Sequence, residues 1–281
     1  MEASSLKSRT GFGRGSVLRC AACLGMSFAL MAASSLWSET CTPPAEMKSK
    51  LQSKPTATLY NDLGVWYAGQ QQYACAAEAF ATSLQMEPTQ PDLAHVAFMF
   101  GVSLYFSGDT KEAVASLQEA EKLGFRDIKI HLILGTALDS LHSTADAETE
   151  WRAALALDPE SSSALDSLSS DLISDNNFAE TITLLDSPRL VPQRTAQQSV
   201  NLGLAYAKMA KPEEAVKVLQ DGLNTTPDSL DVANLLADVL TQLNRKGEAA
   251  MVLKLALAQH PDNPEVKQNL AKALESLGAG K

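Results

Sequence analysis

The chain has 281 residues, 45% of them hydrophobic and 20% charged, a balance that buries a sizeable core and excludes a disordered polypeptide. Aromatics are sparse at 6%, and alanine and leucine dominate, which favours helices over strands. The formal charge of −10 is uneven: residues 1–38 hold four cations against Glu2 alone, a net of +3, so the remainder carries −13 and repels phosphate backbones, which excludes a nucleic-acid partner.

In chain order, Lys7, Arg9, Arg14 and Arg19 precede an uncharged run from Cys20 to Trp37 rich in Ala, Leu and Met. A basic stretch, an apolar run and then small residues form the pattern of an export signal. Ala33, Ser35 and Ser38 offer cleavage sites, so residues 1–38 read as a signal peptide cut between Ala33 and Ser38. The apolar run is about eighteen residues long, at the border of what spans a bilayer, and an uncleaved signal anchor is the alternative. Either reading exports the body, to a periplasm or to the outside, and the anchor is the one membrane link expected. Cys20 and Cys23 form a CxxC inside the leader and have no function after export. Neither follows the small-residue box that lipoprotein processing needs, which rejects a lipid anchor.

Residues 39–56 form the mature N-terminal segment. It contains Cys41, and Cys75 lies on a helix of the first hairpin. An oxidising compartment permits a bridge between them. Such a bridge would close a loop of roughly 35 residues, add about 3–4 kcal/mol and staple the segment to the array. Two unpaired thiols are the other reading.

From here the sequence repeats every 34 residues. Rows starting at Ala94, Ile128, Ser162, Ala196, Leu230 and Pro264 register without a gap, and one more row precedes them over 57–90. The eighth position is always small: Gly64, Gly101, Gly135, Ser169, Gly203, Ala237 and Ala271. The seventh is bulky (Leu63, Phe100, Leu134, Leu168, Leu202, Leu236, Leu270), the twentieth small (Ala76, Ala113, Ala147, Thr181, Ala215, Ala249) and the twenty-fourth bulky again (Phe80, Leu117, Trp151, Leu185, Leu219, Leu253). Pro88, Pro159, Pro227 and Pro261 stand at position 32, where a proline ends one helix and launches the next connection.

Each row therefore predicts two amphipathic helices of about a dozen residues joined by a turn such as Ser107-Gly108-Asp109 or Asp175-Asn176-Asn177. Small residues at positions eight and twenty let the two helices approach, and bulky ones at seven and twenty-four fill the space between neighbouring hairpins. A single hairpin cannot bury its faces, whereas a stack does so in a continuous core.

The pattern resembles the tetratricopeptide repeat family. The first row is nearest, with Tyr60, Leu63-Gly64, Tyr67, Tyr73, Ala76, Phe80 and Pro88 on motif positions. The resemblance covers Ala57 to Gly278 and implies an all-α, right-handed solenoid of stacked helix-turn-helix repeats. Six repeats are expected, at 57–90, 94–127, 128–161, 162–195, 196–229 and 230–263. Residues 264–281 match only a first helix, and Lys267, Gln268, Lys272 and Glu275 make it a solvating cap.

Two departures stand out. In the fourth row Pro188 occupies position 27, so the second helix is expected to end near Asp186, with 187–195 an irregular connector holding a second proline, Pro192. This is sequence drift at a tolerant position, or a joint that lets the first four hairpins pivot on the last two, or a changed superhelical angle. The second row has Phe125 in place of proline, and Pro91, Asp92 and Leu93 are inserted before it, which predicts a small shift in stacking.

No catalytic constellation is written in the chain. His95, His131, His142 and His260 are scattered without metal-ligand or nucleophile spacing, so neither catalysis, a metal nor a cofactor is expected. Asn224-Thr225-Thr226 is formally a glycosylation sequon.

The resemblance implies a protein or peptide partner held on a concave face lined by the first helices at positions two, five, nine, twelve and thirteen. In the second row these are His95, Phe98, Val102, Tyr105 and Phe106, in the third Lys129, Leu132, Thr136, Asp139 and Ser140, in the fifth Gln197, Val200, Leu204, Ala207 and Lys208, and in the sixth Asp231, Asn234, Asp238, Thr241 and Gln242. The partner-binding set is therefore His95, Phe98, Val102, Tyr105, Phe106, Leu132, Val200 and Leu204, aromatic and apolar side chains with polar neighbours. Packing of these rings by Glu39 to Pro55 is the competing reading. The family's Lys-and-Asn carboxylate clamp has no counterpart, since the first row carries Asn61 and Val65 there. The chain is thus expected to be an exported scaffold, with a self-assembling component of an envelope complex as the alternative.

Overall fold

A computed structural model describes residues 41–278, and all their regular structure is helical. The expected leader, with Cys20 and Cys23, lies outside the described residues. The chain divides into two compact units, one up to Leu93 and one from Ala94. The division between the units falls at the end of the Pro91-Asp92-Leu93 insertion.

The described part of the first unit holds α1 (Ala45–Ser53), α2 (Ala57–Gly69) and α3 (Tyr73–Met86). Thr56 caps α2, its hydroxyl accepting from the Leu59 amide at 3.2 Å. Leu63, Tyr67, Ala76 and Phe80 fill the seam between α2 and α3 and are almost wholly buried. Cys41 and Cys75 are joined by a disulfide, with their Cα atoms 5.6 Å apart, which fastens the segment before α1 to α3. Residues 41–56 belong to this unit.

The second unit continues the hairpins: α4 (Leu93–Ser107) with α5 (Thr110–Lys122), α6 (Ile128–Ser140) with α7 (Thr144–Leu157), α8 (Ser162–Ser174) with α9 (Phe178–Leu185), α10 (Ala196–Lys208) with α11 (Pro212–Thr225), and α12 (Leu230–Gln242) with α13 (Lys246–Gln259). A final α14 (Pro264–Gly278) buries Val266 and Ala273 and exposes Lys267, Gln268, Lys272 and Glu275, as a capping helix must.

The helix ends follow from the prolines. Glu87, Asp158, Thr226 and His260 each cap a second helix and each precede a proline, and all four have left helical angles, with φ from −139° to −126°. Proline's ring disfavours the helical region for the residue before it, so the chain turns off there. The second row has no such proline, and α5 instead ends through Gly124 in the left-handed region at φ 99°.

The turns inside the hairpins share one geometry. Position fifteen is left-handed in all six: Gly108 in one, and Gln71, His142, Asn176, Ala210 and Asn244 in the others. In each, the amide of position sixteen donates to the carbonyl of position eleven at 2.7–2.9 Å, as in Asp109 to Leu104 and Lys211 to Tyr206. This bond closes the first helix and sends the chain back along it.

The small eighth residue is where the bulky twenty-fourth of the same hairpin lands. A Cβ on Gly64 would lie 2.7 Å from Phe80, on Gly101 2.7 Å from Leu117 and on Gly203 2.7 Å from Leu219, and one on Gly135 would collide with the Trp151 indole. Position twenty-four therefore packs first across its own hairpin, a correction to its expected place between neighbours. It also reaches the next hairpin, since Leu117 shares a buried cluster with Ile130 and Leu134.

The Pro188 connector is built into the core. α9 ends at Leu185, as the proline predicted, and a short 3-10 turn follows at Val191–Gln193. Leu190 is buried in a cluster that runs from Leu165 through Leu202 to Val266, so apolar packing continues across the connector. Arg194 is also buried and donates to the Leu185 carbonyl at 3.1 Å, capping α9. The Tyr206 hydroxyl donates to Asp186, and Thr195 caps α10 through the Gln198 amide at 3.0 Å. These contacts tie α9 to α10 and weigh against a joint.

Candidate functional site

Positions five, nine, twelve and thirteen of a helix lie on one face, because three and four residues make about one turn. In α4 that spacing aligns Phe98, Val102, Tyr105 and Phe106. Phe98 is only 6% exposed, and its ring stacks on Phe125 at 4.3 Å with 12° between the planes. Phe98 is thus core rather than a surface anchor. Phe125, standing where four of the other rows carry proline, is the residue that takes it inward. His95 is exposed and tilts against Phe125, ring centroids 5.9 Å apart.

Val102 and Tyr105 are half-buried, and Phe106 is 53% exposed. Tyr105 and Phe106 meet edge to face at 5.2 Å. Leu132 of α6 is half-buried, with Thr136, Asp139 and Ser140 exposed beside it on the same helix. On α10, Val200 and Leu204 are half-buried, and Val200 packs partly on the core.

The eight residues form two sets, because α8 lies in chain order between those of α6 and α10 and, apart from Ile173, is polar at the same positions, with Ser163, Asp166, Ser170 and Ser174. Asp166 there accepts from Thr195 at 2.8 Å and from Gln198 at 2.7 Å. Asn201 donates to Ser169 at 2.8 Å and to Ser170 at 3.2 Å. Gln198 and Asn201 are buried, so α8 and α10 meet through a satisfied polar seam in an otherwise apolar stack. At the C-terminal end, Asn234 donates to Glu265 at 3.2 Å and accepts from Asn269 at 3.1 Å.

Several charged groups escaped the sequence reading, since they meet only through folding. Asp171 on α8 has its carboxyl pushed up to about 6 by burial first, then by Asp139, Glu148 and Asp175. Glu148 and Glu180 share Arg152, at 3.1 and 2.6 Å. His131 of α6 meets Glu150 of α7 at 2.8 Å, both sides half-buried. Burial pushes the Tyr206 hydroxyl up to about 12, helped by its bond to Asp186, and burial pulls the Arg194 guanidinium down. Among the described residues no group of His, Cys, Asp and Glu is arranged to hold a metal ion, and no helix is long and apolar enough to cross a membrane.

Residues 200–264 match the family model of the tetratricopeptide repeat. Comparison with curated proteins gave no match. Among solved structures, the chain is similar to YrrB, described as a TPR protein with an unusual peptide-binding site, at 19% identity over 67% of this chain and 96% of that one, with a TM-score of 0.56. It is similar to the C-terminal part of a TPR repeat-containing protein from Cytophaga hutchinsonii at 16% identity, over 75% and 83% of the two chains, with a TM-score of 0.61. A chain of the APC/C hetero-tetramer Cut9-Hcn1 matches at 21% identity over 82% of this chain, with a TM-score of 0.51; only 45% of that longer chain is covered. At these identities the likeness is one of fold: stacked helical hairpins of the tetratricopeptide-repeat kind.

Proposed function

We propose that this protein is an exported, non-catalytic scaffold that holds a segment of a partner protein on the first-helix face of its second unit. The observation carrying this reading is the half-exposed Phe106 with Tyr105 against it, bordered on α4 by Val102. Exposed apolar clusters rimmed by polar groups mark binding surfaces, and aromatic anchors dominate interface energetics. Val200 and Leu204 on α10 form a second, weaker apolar contact. Phe98 supports the face from below by stacking on Phe125.

The test is capture from an envelope extract by the immobilised chain, comparing wild type with Y105S/F106S. Loss of the captured protein with an unchanged helical circular dichroism spectrum supports the reading; full retention refutes it. Self-assembly is favoured by a different observation: Met251 and Leu255, one turn apart on α13, are each 64% exposed. Sedimentation of wild type and M251S/L255S decides that alternative, a monomer in both ruling it out.

A further inference from the structure

We infer that residues 41–56 are an oxidation-dependent cap on the first hairpin, closed by the Cys41–Cys75 bridge and released by its reduction. Cys41 is the one buried side chain between positions 41 and 56, and α1 buries none of its nine residues. A helix that short has little stability of its own, and only Met47 and Leu51 on it are half-buried. Pro43 and Pro44 precede it, and Pro55 separates it from α2, so it gains no support as an extension of the neighbouring helix. α1 lies against α2, and the covalent link to α3 is what holds the segment there.

The repeat itself marks Cys75 as special. It occupies position nineteen, in the first turn of the second helix. Every other hairpin carries a carboxylate there: Glu112, Asp146, Glu180, Glu214 and Glu248. Those side chains are exposed or half-exposed and sit where the positive end of the helix dipole favours an anion. Cys75 gives up that interaction and is 5% exposed, paired with a Cys41 that is 6% exposed. A carboxylate could not be buried at that point without a partner, whereas a disulfide sulfur can.

Closing the bridge removes two protons and two electrons from the two thiols, taken up by a disulfide-bearing oxidant through thiol–disulfide exchange. A dithiol reverses it, leaving Cys41 and Cys75 as thiols and itself as a disulfide. The cap is therefore open wherever thiols are kept reduced and closed where they are oxidised.

Hydrogen exchange with mass spectrometry on the full chain tests this, comparing the oxidised protein with dithiothreitol-treated protein and with the C41S variant, which leaves α3 unaltered. Amides of 45–53 and of the first turn of α3 should exchange at least about tenfold faster once the bridge is open, while those of 94–278 do not change. Peptide mapping after alkylation without reductant should leave Cys41 and Cys75 unmodified. Unchanged exchange over 45–53 would overturn the inference, as would equal acceleration across 94–278 or alkylation of either cysteine in the oxidised protein.

Discussion

Replacing Gly203 by alanine sets two effects of opposite sign against each other. An exposed helix interior gains about 1 kcal/mol from Gly to Ala, because glycine loses more backbone freedom on folding. Here the new Cβ would lie 2.7 Å from Leu219 Cγ and 2.8 Å from its Cδ2. Cγ is the branch point of a side chain with no exposure, so it cannot swing aside into solvent. Overpacking of this kind costs about 1–3 kcal/mol. The two terms leave a net loss of about 1 kcal/mol, a drop of about 2–4 °C in melting temperature for a unit of this size. Leu219→Ala alone should cost about 2–5 kcal/mol through the cavity it leaves. In the double variant the alanine methyl occupies part of that cavity, so the two losses should fail to add by about 1 kcal/mol. Urea unfolding followed by circular dichroism measures all three variants. A more stable G203A, or strict additivity with L219A, would show that position eight is small for a reason other than position twenty-four.

Other consequences follow from single sites. Asp171→Asn should stabilise at pH 7 and flatten the dependence below it. A carboxyl raised from 3.8 to about 6 in the folded chain contributes stability that is full below its unfolded value and lost as pH rises through about 6. Because the residue is half-buried and partly screened by solvent, the gain is about 1 kcal/mol, read from urea midpoints between pH 4 and 7. Ala210→Gly, at φ 56°, relieves a left-handed strain of about 1–2 kcal/mol against a glycine entropy cost of about 0.5–1 kcal/mol, and thermal melts should show a small net rise. Tyr206→Phe removes the bond to the exposed Asp186 and should cost about 1 kcal/mol by chemical denaturation, with faster exchange over 187–195 than over α10.

Helix placement was legible in the residues because the repeat encodes it twice. Alternating large and small positions fix which side of each helix is buried, and the prolines at position 32 fix where four of the six second helices stop. The end of α9 at Leu185, just ahead of Pro188, followed from the same rule. Of the five turns with a side chain at a left-handed position, those at Asn176 and Asn244 carry a residue that favours it, and the other three were not legible. Gln71, His142 and Ala210 carry no local mark of that geometry, which the bond from position sixteen to position eleven imposes.

The candidate face was read less completely than the fold. Phe106 is exposed and Tyr105 half-buried, whereas Phe98 is buried by Phe125, twenty-seven residues away. The departure at position 32 was visible, but which ring it would cover depended on how the chain returns after α5. The charges around Asp171 come from three helices, and a linear reading has no means of summing them.

What the sequence determined by itself is the periodic part: an all-helical chain in hairpins of 34 residues, set by side-chain size and proline position, both local properties. Tertiary structure alone decided the rest. It joined Cys41 to Cys75, drew the Pro188 connector into the core through Leu190 and Arg194, and placed the division between units after Leu93. These depend on which surfaces meet when the chain closes on itself, and that is fixed by packing between residues far apart in sequence.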